Sequence, residues 1–175
     1  MDVENDRSEK AREELEPREP SLEDLVHLCR ELNARNARYV VVGGFAIRAA
    51  GYVRNTMDVD LVVDPEAENE ARVFDALRSL PDQAVNDLAP GDILKFTVIR
   101  VADEIVVDLM ASAAGMNYAE AADEIEWRDI DGVSIPFASP RLLWKLKHKT
   151  HREKDNLDIF FLRHLFAERG ETPPE

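Results

Sequence analysis

VVVGGFAIRAAGYVRNTMDVDLVV, residues 40–63, decides how this chain is read. It opens with a short β-branched run stopped by Gly43-Gly44, the pattern of a buried strand. FAIRAA, rich in alanine, then predicts a short helix closed by Gly51, and MDVDLVV a second strand. Side chains alternate along a strand, so Asp58 and Asp60 share one face while Val59, Leu61 and Val63 take the other. Two carboxylates roughly 7 Å apart on one face repel each other unless a cation sits between them. Hard divalent cations that prefer oxygen ligands, Mg²⁺ (or Mn²⁺), suit such a pair.

A third carboxylate has the same setting. In EIVVDLM, residues 104–110, Asp108 interrupts an apolar strand. If that strand lies beside residues 57–63, Asp108 completes a triad with Asp58 and Asp60. Three carboxylates around one or two Mg²⁺ ions are the usual apparatus for in-line phosphoryl or nucleotidyl transfer. Gly43-Gly44, between strand and helix, would let a phosphate approach the backbone and meet the free N–H groups of a helix start.

Outward from this stretch the elements follow in mixed order. Ser21 with Asp24 resembles a capping box, and Leu22, Leu25, Val26, Leu28, Cys29 and Leu32 have helical spacing. Asp64-Pro65 predicts the start of a helix running to about Leu80. ILKFTVIR and EIVVDLM read as one hairpin, and IEWRDI and VSIPFA, joined by Asp131-Gly132, as another. Ser139-Pro140 caps a helix over RLLWKLKHKTHRE, and a last helix ends near Gly170. The expected fold class is α+β, a small mixed β-sheet with flanking helices and a C-terminal helical pair.

Composition bounds the rest. The chain has 175 residues, enough for one domain, expected over residues 21–170. Residues 1–20 hold eight acidic and four basic residues and almost no large apolar side chain, so a flexible acidic tail is expected. A net charge of −14 argues against a protein that coats nucleic acid with a broad basic surface. The single cysteine, Cys29, excludes an internal disulfide framework and a cysteine-based zinc site. No apolar run approaches the ~20 residues of a membrane span, so no membrane partner and a cytoplasmic protein are expected.

The combination of a strand, Gly43-Gly44, thirteen further residues, Asp58-Val59-Asp60-Leu61 and a later Asp108 resembles the signature of the DNA polymerase β-like nucleotidyltransferase superfamily. Gly51, Arg54, Thr56, Asp58 and Asp60 together resemble the form found in small bacterial AbiE-type toxin nucleotidyltransferases. Some lincosamide and aminoglycoside nucleotidyltransferases share it. The resemblance covers roughly residues 38–165 and departs from many members in having Gly44 where they carry a serine. It implies a Mg²⁺-dependent transfer of a nucleoside monophosphate from an NTP to an acceptor hydroxyl. Asp58, Asp60 and Asp108 would be the catalytic and metal-binding residues, with Gly43, Gly44, Arg54 and Thr56 on the nucleotide. A toxin–antitoxin setting is implied for the AbiE-type branch, and antibiotic modification for the other. A non-catalytic regulatory module on the same fold is the alternative from another class.

One basic segment stands out in this acidic chain. Residues 140–164 hold seven Lys or Arg against three acidic residues. On one continuous helix, Lys145, Lys149 and Arg152 would form a stripe facing a triphosphate or an RNA or protein acceptor. The run from Lys145 to Asp158 also resembles the AbiE-type helix in which a lysine meets phosphate, which places Lys145 and Lys149 in the nucleotide site. Asp155 and Asp158 would either build that site or pair with neighbouring cations.

Overall fold

The structure, a computed structural model, describes residues 16–175. Helix α1 (Leu22–Ala34) leads into β1 (Tyr39–Val42), α2 (Gly43–Ala49), β2 (Val59–Val63) and α3 (Ala67–Leu77). A 3-10 turn (Ala84–Asp87) and α4 (Asp92–Lys95) precede β3 (Ile99–Ala102) and β4 (Val106–Met110). Two short strands, β5 (Ser112–Ala113) and β6 (Met116–Asn117), and α5 (Tyr118–Ala122) follow. The chain closes with β7 (Ile125–Ile130), β8 (Val133–Ala138), α6 (Pro140–Lys147) and α7 (Glu153–Glu168).

Six strands form one mixed sheet in the order β3-β4-β2-β1-β8-β7. β1 runs antiparallel to β2 and parallel to β8, and β2 runs parallel to β4. This is the α+β architecture expected from the sequence. The β-branched runs form its middle strands because they are buried on both faces: every residue of β1, and Val59, Leu61, Val62 and Val63 of β2, is buried. Helix α1 covers them with Leu25, Leu28, Cys29 and Leu32, and packs against α3 and β8. On the C-terminal side α2 packs on α6, and α6 on α7, whose Leu162 and Phe166 are fully buried. Among the described residues no helix is long and apolar enough to cross a membrane.

Several boundaries differ from those expected. α3 begins at Ala67 because Asp64 is spent on the turn before it: its Oδ1 accepts the Glu66 N–H (3.0 Å) and its Oδ2 holds Arg38 Nε (2.8 Å). ILKFTVIR does not form one strand. Buried Glu70 accepts the N–H groups of Gly91 and Ile93 (2.6 and 3.1 Å), tying residues 92–95 into the helical turn α4, so β3 starts only at Ile99. The helix expected over residues 140–153 stops at Lys147, and α7 starts at Glu153. Most of the expected acidic tail, residues 1–15, lies outside the described residues. Of its remainder, Pro20 is buried and Arg18 pairs with Asp24 (2.7 Å) and Glu104 (3.3 Å).

The capping box is present at the start of α1. Ser21 Oγ accepts the Asp24 N–H (3.2 Å), and Asp24 Oδ2 accepts the Ser21 N–H (2.7 Å). Ser21→Ala leaves the first turn with an orphan donor. It should lower stability by about 1 kcal/mol, read in a thermal melt as roughly 2–4 °C.

Candidate active site

Strand register, rather than any one motif, assembles the acidic cluster. Val42 is opposite Asp60 across β1–β2, Asp60 is opposite Asp108 across β2–β4, and Asp108 is opposite Arg100 across β3–β4. The four residues therefore form one row across the sheet. Asp58 stands one residue before β2 and two before Asp60, so it points to the same face. One carboxylate oxygen from each of Asp58, Asp60 and Asp108 lies within 4.8 Å of the others.

The two glycines are part of this geometry. Gly43 has φ +65°, a left-handed conformation that glycine adopts without strain. A Cβ there would overlap Asp60 Oδ2 and stand 2.8 Å from Asp60 Cγ. A Cβ on Gly44 would stand 2.5 Å from Thr56 Oγ1 and 2.6 Å from Thr56 Cβ. Thr56 is buried, and its hydroxyl donates to the Asp58 carbonyl oxygen (3.0 Å). Gly43 thus seats Asp60, while Gly44 seats the threonine that holds the backbone of Asp58.

The electrostatics of the triad are uneven. Arg100 grips Asp108 with two bonds, Nε to Oδ1 (3.0 Å) and Nη2 to Oδ2 (2.9 Å), and reaches Asp58 Oδ2 with Nη2 (3.2 Å). Hydrogen bonding to Asp108 raises the Arg100 pKa further above its ordinary value. Among the described residues no N–H or O–H group donates to Asp60. Burial, and then the charges of Asp58 and Asp108, push its carboxyl up to about 7. A desolvated carboxylate without a donor, beside two others, fits a bound cation. The donor set, all carboxylate oxygen with no imidazole or thiolate, suits a hard divalent one.

The triad opens on a cleft of about 430 Å³ whose far wall is the joint between α6 and α7. Lys147, at the end of α6, lies 3.0 Å from both Asp155 Oδ1 and Asp158 Oδ2. Arg54 binds Asp158 with two bonds, Nε to Oδ1 (2.8 Å) and Nη2 to Oδ2 (2.9 Å), and so ties the loop before β2 to α7. Thr150 Oγ1 donates to Asp155 Oδ2 (2.6 Å). Burial works against the Asp155 charge, yet the bonds from Thr150 and Lys147 outweigh it and hold its pKa below the ordinary value. Arg152 and Lys154 are exposed on the same wall, and neither forms an ion pair with a described residue.

Of the residues expected in the site, Gly43, Gly44, Arg54, Thr56, Asp58 and Asp60 all line the cleft, and Asp108 joins the triad beside it. Arg54 and Thr56 reach it already engaged, with Asp158 and the Asp58 backbone. Lys145 and Lys149 do not line it: Lys145 pairs with Glu124, and Lys149 is exposed elsewhere. The stripe of Lys145, Lys149 and Arg152 does not form, because α6 ends before Lys149 and His151 takes a left-handed φ of +54°. Arg100, Lys147 and Lys154 are the cations that sequence reading missed. The signal for Arg100 was its position opposite Asp108, which needed the β3–β4 turn to be placed at residues 103–105.

The fold has a counterpart among solved structures. The chain is similar to the lincosamide antibiotic adenylyltransferase LnuA, solved with lincomycin bound. The TM-score is 0.58 over 85% of this chain and 99% of that one, at 15% sequence identity. At that identity the likeness establishes the fold. No protein-family model matches the chain, and no curated protein does.

Two outcomes test this geometry. Gly44→Ala forces Thr56 off its seat, an overpacking that costs about 1–3 kcal/mol; a melt unchanged from wild type would mean the two do not touch. The second concerns pH. In the metal-free protein Asp60 holds its proton up to about 7, against 3.8 ordinarily. The folded state therefore binds that proton more tightly than the unfolded one. The stability this confers is complete below about pH 4 and is lost as pH rises to about 7. Asp60→Asn, which mimics the protonated form, should raise the melting temperature more near pH 8 than near pH 5. Equal shifts at both would show that Asp60 titrates normally.

Proposed function

We propose that this chain is a divalent-cation-dependent nucleotidyltransferase that moves a nucleoside monophosphate from an NTP to an acceptor hydroxyl. One observation carries the reading: three carboxylates from neighbouring strands converge at the edge of a cleft whose opposite wall is cationic. The adenylyltransferase-like fold supports it. So does the survival of all three acidic residues, which a purely regulatory module would not need.

Asp58, Asp60 and Asp108 would hold Mg²⁺ or Mn²⁺. Such a cation, when bound, neutralises charge on the attacking and leaving oxygens of an in-line displacement. The chain's own residues do the rest. Arg152 and Lys154, whose charge no described residue pairs, would face the triphosphate. Lys147 adds to the positive potential while remaining clamped by Asp155 and Asp158. The Gly43–Gly44 backbone lines the same cleft at the start of α2 and offers N–H groups to phosphate oxygens. Asp108 would take the proton of the acceptor hydroxyl as that oxygen attacks the α-phosphorus. The bond to pyrophosphate breaks as the new ester forms.

The acceptor side favours a small molecule. The continuous basic stripe that an RNA acceptor would use is absent. The cleft is also lined by Met57, Val98, Met110, Ala113 and Ala114, with the hydroxyls of Thr97 and Ser112 among them, a largely apolar surface without a cation. The crystallised counterpart held lincomycin, a small molecule, in a fold of the same kind.

Binding and turnover test the assignment separately. By calorimetry, Asp58→Ala should lose Mg²⁺-dependent ATP binding. Arg152→Ala combined with Lys154→Ala should weaken it about tenfold, and Lys145→Ala or Lys149→Ala should change it less than about twofold. Undiminished Mg·ATP binding in Asp58→Ala would end the nucleotidyltransferase reading. For the acceptor, radiolabelled NTPs with Mg²⁺ should label hydroxylated small molecules and not tRNA; labelled tRNA would reverse that choice.

A further inference from the structure

We propose that Arg100 is a built-in counter-cation that holds the Asp58–Asp108 side of the triad in the resting protein. It must surrender that place before the site carries its full complement of divalent cations. The inference rests on the cation-dependent reading above and adds an order to it.

The two sides of the triad differ. Asp58 Oδ2 and Asp108 Oδ2 share one nitrogen, Arg100 Nη2, at 3.2 and 2.9 Å, and the other Asp108 oxygen takes Arg100 Nε at 3.0 Å. The Asp58–Asp60 side has no such donor. Asp108 is buried, and a buried carboxylate needs a cation or donors to remain charged. Arg100 meets that need in the resting chain. A guanidinium and a divalent cation held by the same oxygens would stand within a few ångströms of each other, and like charges that close repel strongly. One must leave. Arg100 is able to do so: its side chain is 63% exposed and no other described residue holds it, whereas Lys147, the other cation near Asp60, is 11% exposed and fixed by two aspartates.

The expected sequence is therefore a first cation on the Asp58–Asp60 side, with Arg100 in place. A second, engaging Asp108, enters only in exchange for the guanidinium. Once released, Arg100 stays tethered to the edge strand β3 beside the triad.

Mn²⁺ binding followed by electron paramagnetic resonance tests this without turnover, with protein alone and with a non-hydrolysable ATP analogue. In Arg100→Gln the weaker of two Mn²⁺ classes should tighten about tenfold, while the tighter class moves less than about twofold. Arg100→Lys keeps the charge without the fork and should fall between. Weaker or unchanged Mn²⁺ binding in Arg100→Gln would overturn the proposal. Should the variant fold poorly, the wild type answers the question directly. The ¹⁵N side-chain Nε–H resonance of Arg100 should be protected from exchange in the metal-free protein and lose that protection at saturating Mg²⁺. A signal unmoved by Mg²⁺ would also overturn it. Mn²⁺ taken up alike by both proteins defeats the exchange alone; Mn²⁺ taken up by neither defeats the cation-dependent reading as well.

Discussion

Gly43 and Asp60 occupy adjoining space so closely that no side chain fits between them, and the rest of the site follows from that contact. β1 and β2 are antiparallel neighbours, and the chain leaving β1 must turn at once into α2 to clear the carboxylate that β2 brings alongside. Only a residue without a Cβ, in the left-handed region, does both. One residue later the same restriction recurs between Gly44 and Thr56, and Thr56 sets the backbone of Asp58. The spacing between the glycines and the acidic pair is thus the length of α2 plus the loop that returns to lie against it. The glycines serve the acidic residues first, and any phosphate second.

A site of this kind needs cations at fixed places in a strongly acidic chain. The protein meets that need in two ways. Arg54 and Lys147 are locked to the buried Asp158 and Asp155 in a network that fixes the joint between α6 and α7 against the loop before β2. Removing one member of such a network leaves a buried charge without a partner, so the network enforces geometry more than it adds stability. Arg100, Arg152 and Lys154 are exposed and able to move. Charge that shapes the cleft is paired, and the charge left on exposed stems is what the proposed nucleotide would meet.

Much of this was legible in the sequence. The β-branched runs are buried strands because they are apolar without a break, and Asp131-Gly132 turns the β7–β8 hairpin with both residues at positive φ. The triad was legible because an aspartate inside an apolar strand has few structural uses. Helical periodicity misled between residues 145 and 153. Lysines at i and i+4 look like a stripe only if the helix continues, and nothing local announces that His151 will adopt a left-handed φ. The break goes with Thr150 and Lys147 both bonding Asp155, five and eight residues further on, bonds that helical periodicity does not register. Arg100 was hidden by register. Ending the strand at residue 100 instead of carrying it to Ala102 moved the arginine away from Asp108.

The uneven surroundings of the three carboxylates suggest how one short domain separates two tasks. Among the described residues nothing donates to Asp60, and burial beside Asp58 and Asp108 raises its pKa, so on the proposed reading a cation would gain most on the Asp58–Asp60 side. Asp108 is already satisfied by Arg100 and has no such urgency. On that reading, a cation carried in with a triphosphate would meet its strongest demand there. Asp108 stays held by Arg100 meanwhile. If Asp108 is the proton acceptor proposed above, its cover by Arg100 would limit the chance that water attacks the α-phosphorus before the acceptor is in place. That cover would come from a single side chain on the edge strand β3.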